Sequence, residues 1–170
     1  MTDIDERLGR ASSHPRFLPV DQQAVNDPLS KLISDYELSQ AYHDWELLDL
    51  IQKVERNNPE RCSKAPKFVS RLLTHKSAPI RKSAFAACIT ILSFPQSPRR
   101  MMLDAYRMAL CNSNYQVAQY ALSLLPQFVD VCPEEANNLI KFGAAAYNKL
   151  PAPSTDIEMY LSRAYTKASQ

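Results

Sequence analysis

The chain has 170 residues, and its 20 Lys and Arg against 18 Asp and Glu leave a formal net charge of +2. This length fits one ordinary domain, and a composition that is 45% hydrophobic and 22% charged is typical of a globular protein. Two glycines against twelve prolines exclude the glycine-rich loops that bind nucleotides, and they disfavour a turn-rich β-sandwich or barrel.

Residues 1–27 differ in character from the rest of the chain. They are polar, contain Pro15 and Pro19, and show no sustained apolar period, which predicts a flexible N-terminal arm. Within this arm, Arg16–Val20 is interpreted either as a docking peptide or as a segment that lies over the first helix.

A first helix pair is predicted over residues 28–58. Asp27 is a suitable N-cap with Pro28 in the first turn, and Asp44 is predicted to cap the second helix. Trp45, the single tryptophan of the chain, is interpreted as packing within this pair in preference to serving as a partner-binding residue.

A repeat of 37 residues organises the middle of the chain. Apolar positions recur at the same spacing in two predicted helices, whose caps are Ser77 and Asn114. The matched positions are Ile80 and Val117, Ala84 and Ala121, Ala87 and Leu124, Ile91 and Phe128, and Phe94 and Val131. The period defines repeats at 59–95 and 96–132, and Pro126 is expected to kink the second helix of the later repeat.

A final unit is predicted over residues 133–170. Its first helix follows Pro133 and contains Gly143, where the lack of a side chain is expected to permit close helix packing. Its second helix is expected to start after Ser154, which follows a proline-rich break. The whole pattern predicts an all-α fold, a HEAT/armadillo-like α-solenoid of about three to four helix pairs over residues 28–170.

Charge is distributed unevenly along this stack. Residues 1–52 carry −6, residues 53–107 carry +9, and residues 108–170 carry −1. A strongly basic segment in a nearly neutral chain predicts an electropositive surface that attracts an acidic partner. A set of solvated helix faces without a partner is the alternative interpretation.

The candidate partner-binding residues lie in the basic segment. They are Lys64, Lys67, Arg71, Lys76, Arg81, Lys82, Arg99 and Arg100. Helical spacing places the first three on one helix face. Lys76, Arg81 and Lys82 are expected near one ridge of the solenoid, whereas Arg99 and Arg100 lie at the opposite end of their helix.

The sequence contains no recognisable motif for a catalytic, metal-binding or cofactor-binding site. The four cysteines are too widely spaced for a zinc or redox motif, and they are expected to be reduced. His75 is interpreted as a cationic cap at a helix C-terminus, and His43 lacks the helical spacing of a zinc site. Glu134 and Glu135 are expected to complement the positive N-terminus of a helix. We therefore expect no enzyme, no metal and no cofactor.

Compartment is predicted from two further features. No apolar run approaches the length of a membrane span, and the acidic start of the chain lacks a cationic-then-apolar signal peptide. The expectation is an intracellular protein that makes no membrane contact.

Two stretches resemble known families. Ile80-Arg81-x-x-Ala84, preceded by Leu72-Leu73 and a polar turn, resembles the second helix of a HEAT repeat. The spaced residues from Phe128-Val129-x-Val131-Cys132 through Tyr147 to Leu161 are similar to the end of Integrator complex subunit 1. That family is a very large helical-repeat scaffold in the nuclear complex that cleaves nascent RNA and terminates transcription of small nuclear RNA and other RNA polymerase II genes.

This resemblance implies a function and a compartment. It implies a nuclear, non-enzymatic scaffold that contacts another Integrator subunit, with the PHD-finger subunit as one candidate partner. The basic segment separately predicts an acidic peptide as a partner. The alternative is a nucleic-acid-binding helical repeat that uses a basic surface in residues 64–100. Such binding would be driven by phosphate contacts and would weaken steeply with salt.

Overall fold

The computed structural model describes residues 27–39, 42–57 and 62–170. Most of the predicted N-terminal arm, including Arg16–Val20, lies outside these residues.

The described residues form nine α-helices and contain no strand. The helices are α1 (Pro28–Ser39), α2 (Asp44–Arg56), α3 (Ala65–Leu72), α4 (Ala78–Leu92), α5 (Arg99–Leu110), α6 (Tyr115–Ser123), α7 (Leu125–Val131), α8 (Ala136–Tyr147) and α9 (Thr155–Ala168). A short 3-10 turn, Pro133–Glu135, precedes α8. The all-α prediction is confirmed for this part of the chain, where no helix combines the length and apolar character needed to cross a membrane.

Ser77, Asn114 and Ser154 occupy the N-cap positions predicted for them, but of these three only the Asn114 side chain accepts a backbone amide. The Asp27 carboxylate accepts the backbone amides of Leu29 and Ser30 at 3.3 and 3.1 Å, so this cap is confirmed. The prediction that Asp44 caps α2 is wrong. His43 occupies the N-cap position, and its amide donates to the Glu46 carboxylate at 2.8 Å, so Asp44 is already helical.

The helices pack in two rows. In one row α1, α3, α5 and α8 contact one another in succession, and in the other α2 packs on α4, α4 on α7 and α7 on α9. Each predicted range, 28–58, 59–95, 96–132 and 133–170, contains one neighbouring pair, with α6 and α7 together forming the second member of the third pair. This arrangement is consistent with an α-solenoid.

The apolar stripe of the repeat forms the core between the rows. Ile80, Ala84 and Ala87 are buried, and so are their repeat partners Val117 and Ala121. Aromatic side chains fill the centre of the stack, where the rings of Tyr106 and Phe128 lie parallel with centroids 3.6 Å apart.

Pro126 has a stronger effect than the predicted kink. The helix is divided, because α6 ends at Ser123 and α7 begins at Leu125. A proline has no N–H to donate to the preceding turn. Near this break the hydroxyl of Tyr106 donates to the carbonyl oxygen of Ala121 at 2.9 Å, which ties α5 to the end of α6.

Gly143 on α8 is confirmed as a position of close packing. A Cβ atom there would lie 2.6 Å from the Leu125 Cδ2 atom and 3.6 Å from methyl carbons of Leu122 and Leu161. Helix α8 therefore approaches α6, α7 and α9 at a point where a side chain would need its neighbours to move.

Candidate protein-interaction surface

The tertiary structure divides the eight candidate cations between two edges of the stack. Consecutive helices reverse direction, so the N-termini of α3 and α5 share one edge and the N-terminus of α4 lies at the other. The first edge carries Lys64, Lys67, Arg99 and Arg100, and the second edge carries Arg71, Lys76, Arg81 and Lys82. The set is therefore two surfaces and does not form one patch.

The first edge holds both paired and unpaired cations. Lys64 hydrogen-bonds through its ammonium group to the Ser34 hydroxyl, and Arg99 forms an ion pair with Glu134. Lys67 and Arg100 are exposed and form no ion pair with any described residue. Two full positive charges thus face solvent next to two that already have partners.

Arg81 on the second edge is an internal residue. Only 6% of it is exposed. Its guanidinium donates to the carbonyl oxygens of His75 and Lys76, each at 2.8 Å. These bonds hold the turn between α3 and α4, so the placement of Arg81 does not favour the partner contact predicted for it.

The remaining cations of the second edge differ in their surroundings. Arg71 pairs with Glu37 at 2.8 Å, and the Lys82 ammonium lies 5.8 Å from the centre of the Tyr120 ring. Lys76 is exposed. This edge therefore offers fewer uncommitted charges than the sequence predicts.

A cavity of about 150 Å³ opens between the starts of α3 and α5. Its floor is formed by Cys62, Pro66 and Ile91, and exposed residues Ser63, Gln96 and Pro98 stand at its mouth. The flanking helical residues are Lys67 on α3 and Arg100 on α5. Sequence reasoning missed this cavity, because its lining residues come from two stretches, 62–66 and 91–98, that are 25 residues apart in the chain.

Trp45 corrects the sequence interpretation. It is 67% exposed and is not part of the buried core of the first helix pair, although it lines a surface depression together with Leu32 of α1. Helix α2 turns Leu47, Leu50 and Val54 toward the core, and at about 100° per residue this stripe places position 45 on the opposite side. Leu38, which is 84% exposed, lies on the same first pair of helices.

His75 also departs from its predicted role. Its backbone amide does cap α3 by donating to the Leu72 carbonyl oxygen at 3.1 Å. The ring, however, accepts the Ser77 amide through Nδ1 at 3.1 Å, and burial lowers the pKa of His75, with Lys76 and Arg81 adding to that effect. The side chain is therefore a neutral acceptor and not the cationic cap expected.

The cysteines do not present a reactive thiol at the cavity. All four are free, and Cys62, Cys88 and Cys132 are buried. Burial raises the pKa of Cys62 and raises that of Cys132 to about 11, so these thiols stay protonated at neutral pH. Within the described ranges no three His, Cys, Asp or Glu side chains are grouped so that they could hold a metal ion.

Glu134 and Glu135 connect neighbouring helices of the first row. Glu134 pairs with Arg99, and Glu135 pairs with Arg107 at 2.7 Å, so the start of α8 is fastened to α5. The Glu134 backbone amide and Arg99 lower the pKa of the Glu134 carboxyl. The sequence predicts acidic residues at this helix start, but it does not reveal their arginine partners.

Comparison with known proteins identifies the family to which the chain belongs. No curated protein and no solved structure gave a significant match. The family model for Integrator complex subunit 1, R4 domain, matches residues 36–133. The residues that carried the resemblance in the sequence, Phe128–Leu161, lie mostly beyond this range, so the family prediction is confirmed over a different part of the chain. Because the match spans more than half of its length, the chain belongs to the family of Integrator complex subunit 1, R4 domain.

Proposed function

We propose that the chain is a non-enzymatic scaffold module of the Integrator complex, built as a HEAT/armadillo-type α-solenoid that holds a protein partner on its surface. The family match over residues 36–133, from the middle of α1 to the end of α7, supports this proposal. A helix stack of this kind buries its faces against its own neighbours, so its edges and outer ridges remain for partners.

The biological role follows from the same family. The module would act in the nucleus, in the 3′-end processing of nascent RNA, including small nuclear RNA, and in transcription termination. Its partner would be another Integrator subunit, and the PHD-finger subunit is the first candidate to test.

Affinity purification tests this function directly. The full chain, tagged and expressed in cells of its own organism, should co-purify with Integrator subunits identified by mass spectrometry. Leu103 is buried in α5, so the Leu103→Asp variant should disrupt the stack and lose these subunits.

A control is needed to show that the extract contains an intact Integrator complex. The same extract must yield the complex through a different tagged Integrator subunit. If it does, and the full chain still recovers no Integrator subunit above untagged cells, the proposed function is wrong.

A further inference from the structure

The cavity beside the start of α3 has a largely apolar interior, and two exposed cations lie close in the chain to its lining residues. Its interior is largely apolar and is formed by Pro66, Ile91 and Phe94 together with the protonated thiol of Cys62. At about 150 Å³ it has the volume of cavities that accept a benzene-sized group. One apolar side chain of a partner fits a space of this size.

The charge near the cavity favours acidic residues on either side of that side chain in the partner. Lys67 is the residue after Pro66 on the floor, and Arg100 is close behind Pro98 at the mouth. Both are exposed and unpaired among the described residues. Neither cation lines the cavity itself, but Arg100 lines the adjoining depression that shares Pro98 with it. Carboxylates on either side of an apolar anchor would therefore lie near these positive charges outside the cavity.

A spare hydroxyl group adds a polar position to the wall. The Ser97 Oγ atom is buried and has no hydrogen-bond partner among the described residues. Buried polar groups are normally hydrogen-bonded, and a carbonyl or carboxylate of an occupant would provide such a partner after a small rotation of this side chain.

We propose that this cavity is the docking site for an acidic peptide segment of a protein partner, with one aromatic or large aliphatic side chain inserted between the start of α3 and residues 91–98. The assignment rests on the proposed scaffold function and specifies its partner chemistry. The apolar side chain would supply most of the affinity, and the flanking carboxylates would orient the segment and speed its association.

A nucleic acid fits this edge less well. Glu134 neutralises Arg99, and Asp104 lies beside Arg99 and Arg100 in the adjoining surface depression. Affinity for a phosphate backbone rises with the number of phosphates that cations neutralise, and these carboxylates reduce the number of cations available on this edge.

Fluorescence anisotropy on the full chain tests the docking site with a defined probe. The probe is a labelled synthetic peptide that places a phenylalanine between short runs of glutamate, measured at about 0.15 M salt. Replacing its phenylalanine with alanine should weaken binding by about tenfold or more. Equal binding of the two peptides would show that the cavity takes no side chain and would overturn the proposal.

Two charge-reversal variants locate the site. Lys67→Glu with Arg100→Glu should weaken binding of the phenylalanine peptide by about tenfold. Lys76→Glu with Lys82→Glu changes the charge equally on the second edge and should alter binding by less than about twofold. Equal losses in both variants would indicate general electrostatic attraction and would refute the site, provided that circular dichroism shows both to be folded.

A blocking variant and a competitor complete the test. Ser63 is exposed at the mouth, so Ser63→Trp should fill the cavity and abolish the preference for phenylalanine over alanine. Single-stranded RNA that binds more tightly than the peptide at the same salt would overturn the proposal in favour of a nucleic acid. Integrator co-purification distinguishes a failure of the docking site from a failure of the proposed function. If the chain co-purifies with Integrator but does not bind the peptide, only the docking site is refuted. If it binds the peptide but does not co-purify with Integrator, only its assignment to the complex is refuted.

Discussion

The hydrogen bond from Tyr106 to the carbonyl oxygen of Ala121 offers a quantitative test of the packing around the divided helix. Tyr106→Phe removes only the hydroxyl, because the phenylalanine ring keeps the stacked contact with Phe128 at 3.6 Å. The side chain is fully buried, and the bond to Ala121 is 2.9 Å long. The substitution therefore isolates one buried hydrogen bond between α5 and α6.

The expected loss is about 1 kcal/mol in the free energy of unfolding. A neutral buried hydrogen bond contributes about 0.5–1.5 kcal/mol net. The Ala121 carbonyl oxygen is not left without a donor, since it also accepts the Leu124 amide at 3.1 Å. For a domain of this size the melting temperature should fall by about 2–5 °C.

The pH dependence of the same variant has a definite sign. Burial raises the pKa of the Tyr106 hydroxyl well above its ordinary value, whereas the unfolded tyrosine ionises near pH 10. A pKa that is higher in the folded state gives stability that is complete below about pH 10 and is lost as pH rises beyond it. The stability difference between wild type and Tyr106→Phe should be constant at neutral pH and should shrink in strong alkali.

Denaturant unfolding followed by far-UV circular dichroism measures both effects. Tyr120→Phe is the matched control. The Tyr120 ring packs on Phe85 with ring centroids 5.4 Å apart, and its hydroxyl has no hydrogen bond to a described residue. That control should change stability by less than about 0.5 kcal/mol. Equal losses in the two variants would refute the assigned hydrogen bond.

Three further predictions concern the turn, the glycine and the tryptophan. Arg81→Met should lower the free energy of unfolding, measured with denaturant, by about 2–4 kcal/mol, because two carbonyl oxygens lose a charged donor. A decrease below about 0.5 kcal/mol would contradict the internal role of Arg81. Gly143→Val should lower stability by about 1–3 kcal/mol through overpacking, whereas Ala145→Val at an exposed position of the same helix should lose well under half as much. Trp45 should emit at a water-exposed wavelength and be quenched readily by acrylamide in the folded chain, and a blue-shifted, shielded emission would mean that another segment covers it.

Local features of this fold are predicted well by the sequence for a physical reason. Helix starts depend on contacts within a few residues, as the bonds from Asp27 to the next turn illustrate. The buried stripe depends on helical periodicity, and the effect of Pro126 depends on its missing N–H. The cap predicted at Asp44 is displaced by one residue, because the His43 amide donates to the Glu46 carboxylate and the Glu46 amide donates to the His43 carbonyl oxygen.

The candidate site was less predictable than the fold. The charge of the basic segment is visible in the sequence, but which of its cations remain available is not. Arg81 became internal through bonds to the preceding turn, and Arg99 met Glu134, 35 residues away. Spacing alone could not assign either partner, because both depend on how one helix is placed against another.

The sequence by itself determined that this protein is a stack of helices with prolines at or near most helix ends. It also indicated that Gly143, one of only two glycines, lies inside a helix and permits close packing. Periodicity, caps and proline act over a few residues, so their consequences can be derived from neighbours in the chain. The tertiary structure alone decided that the cations lie on two edges, that Trp45 is mostly exposed, and that the start of α3 and residues 91–98 enclose a cavity. These features depend on the rotation of each helix and on surfaces brought together across a whole repeat, which no local pattern records.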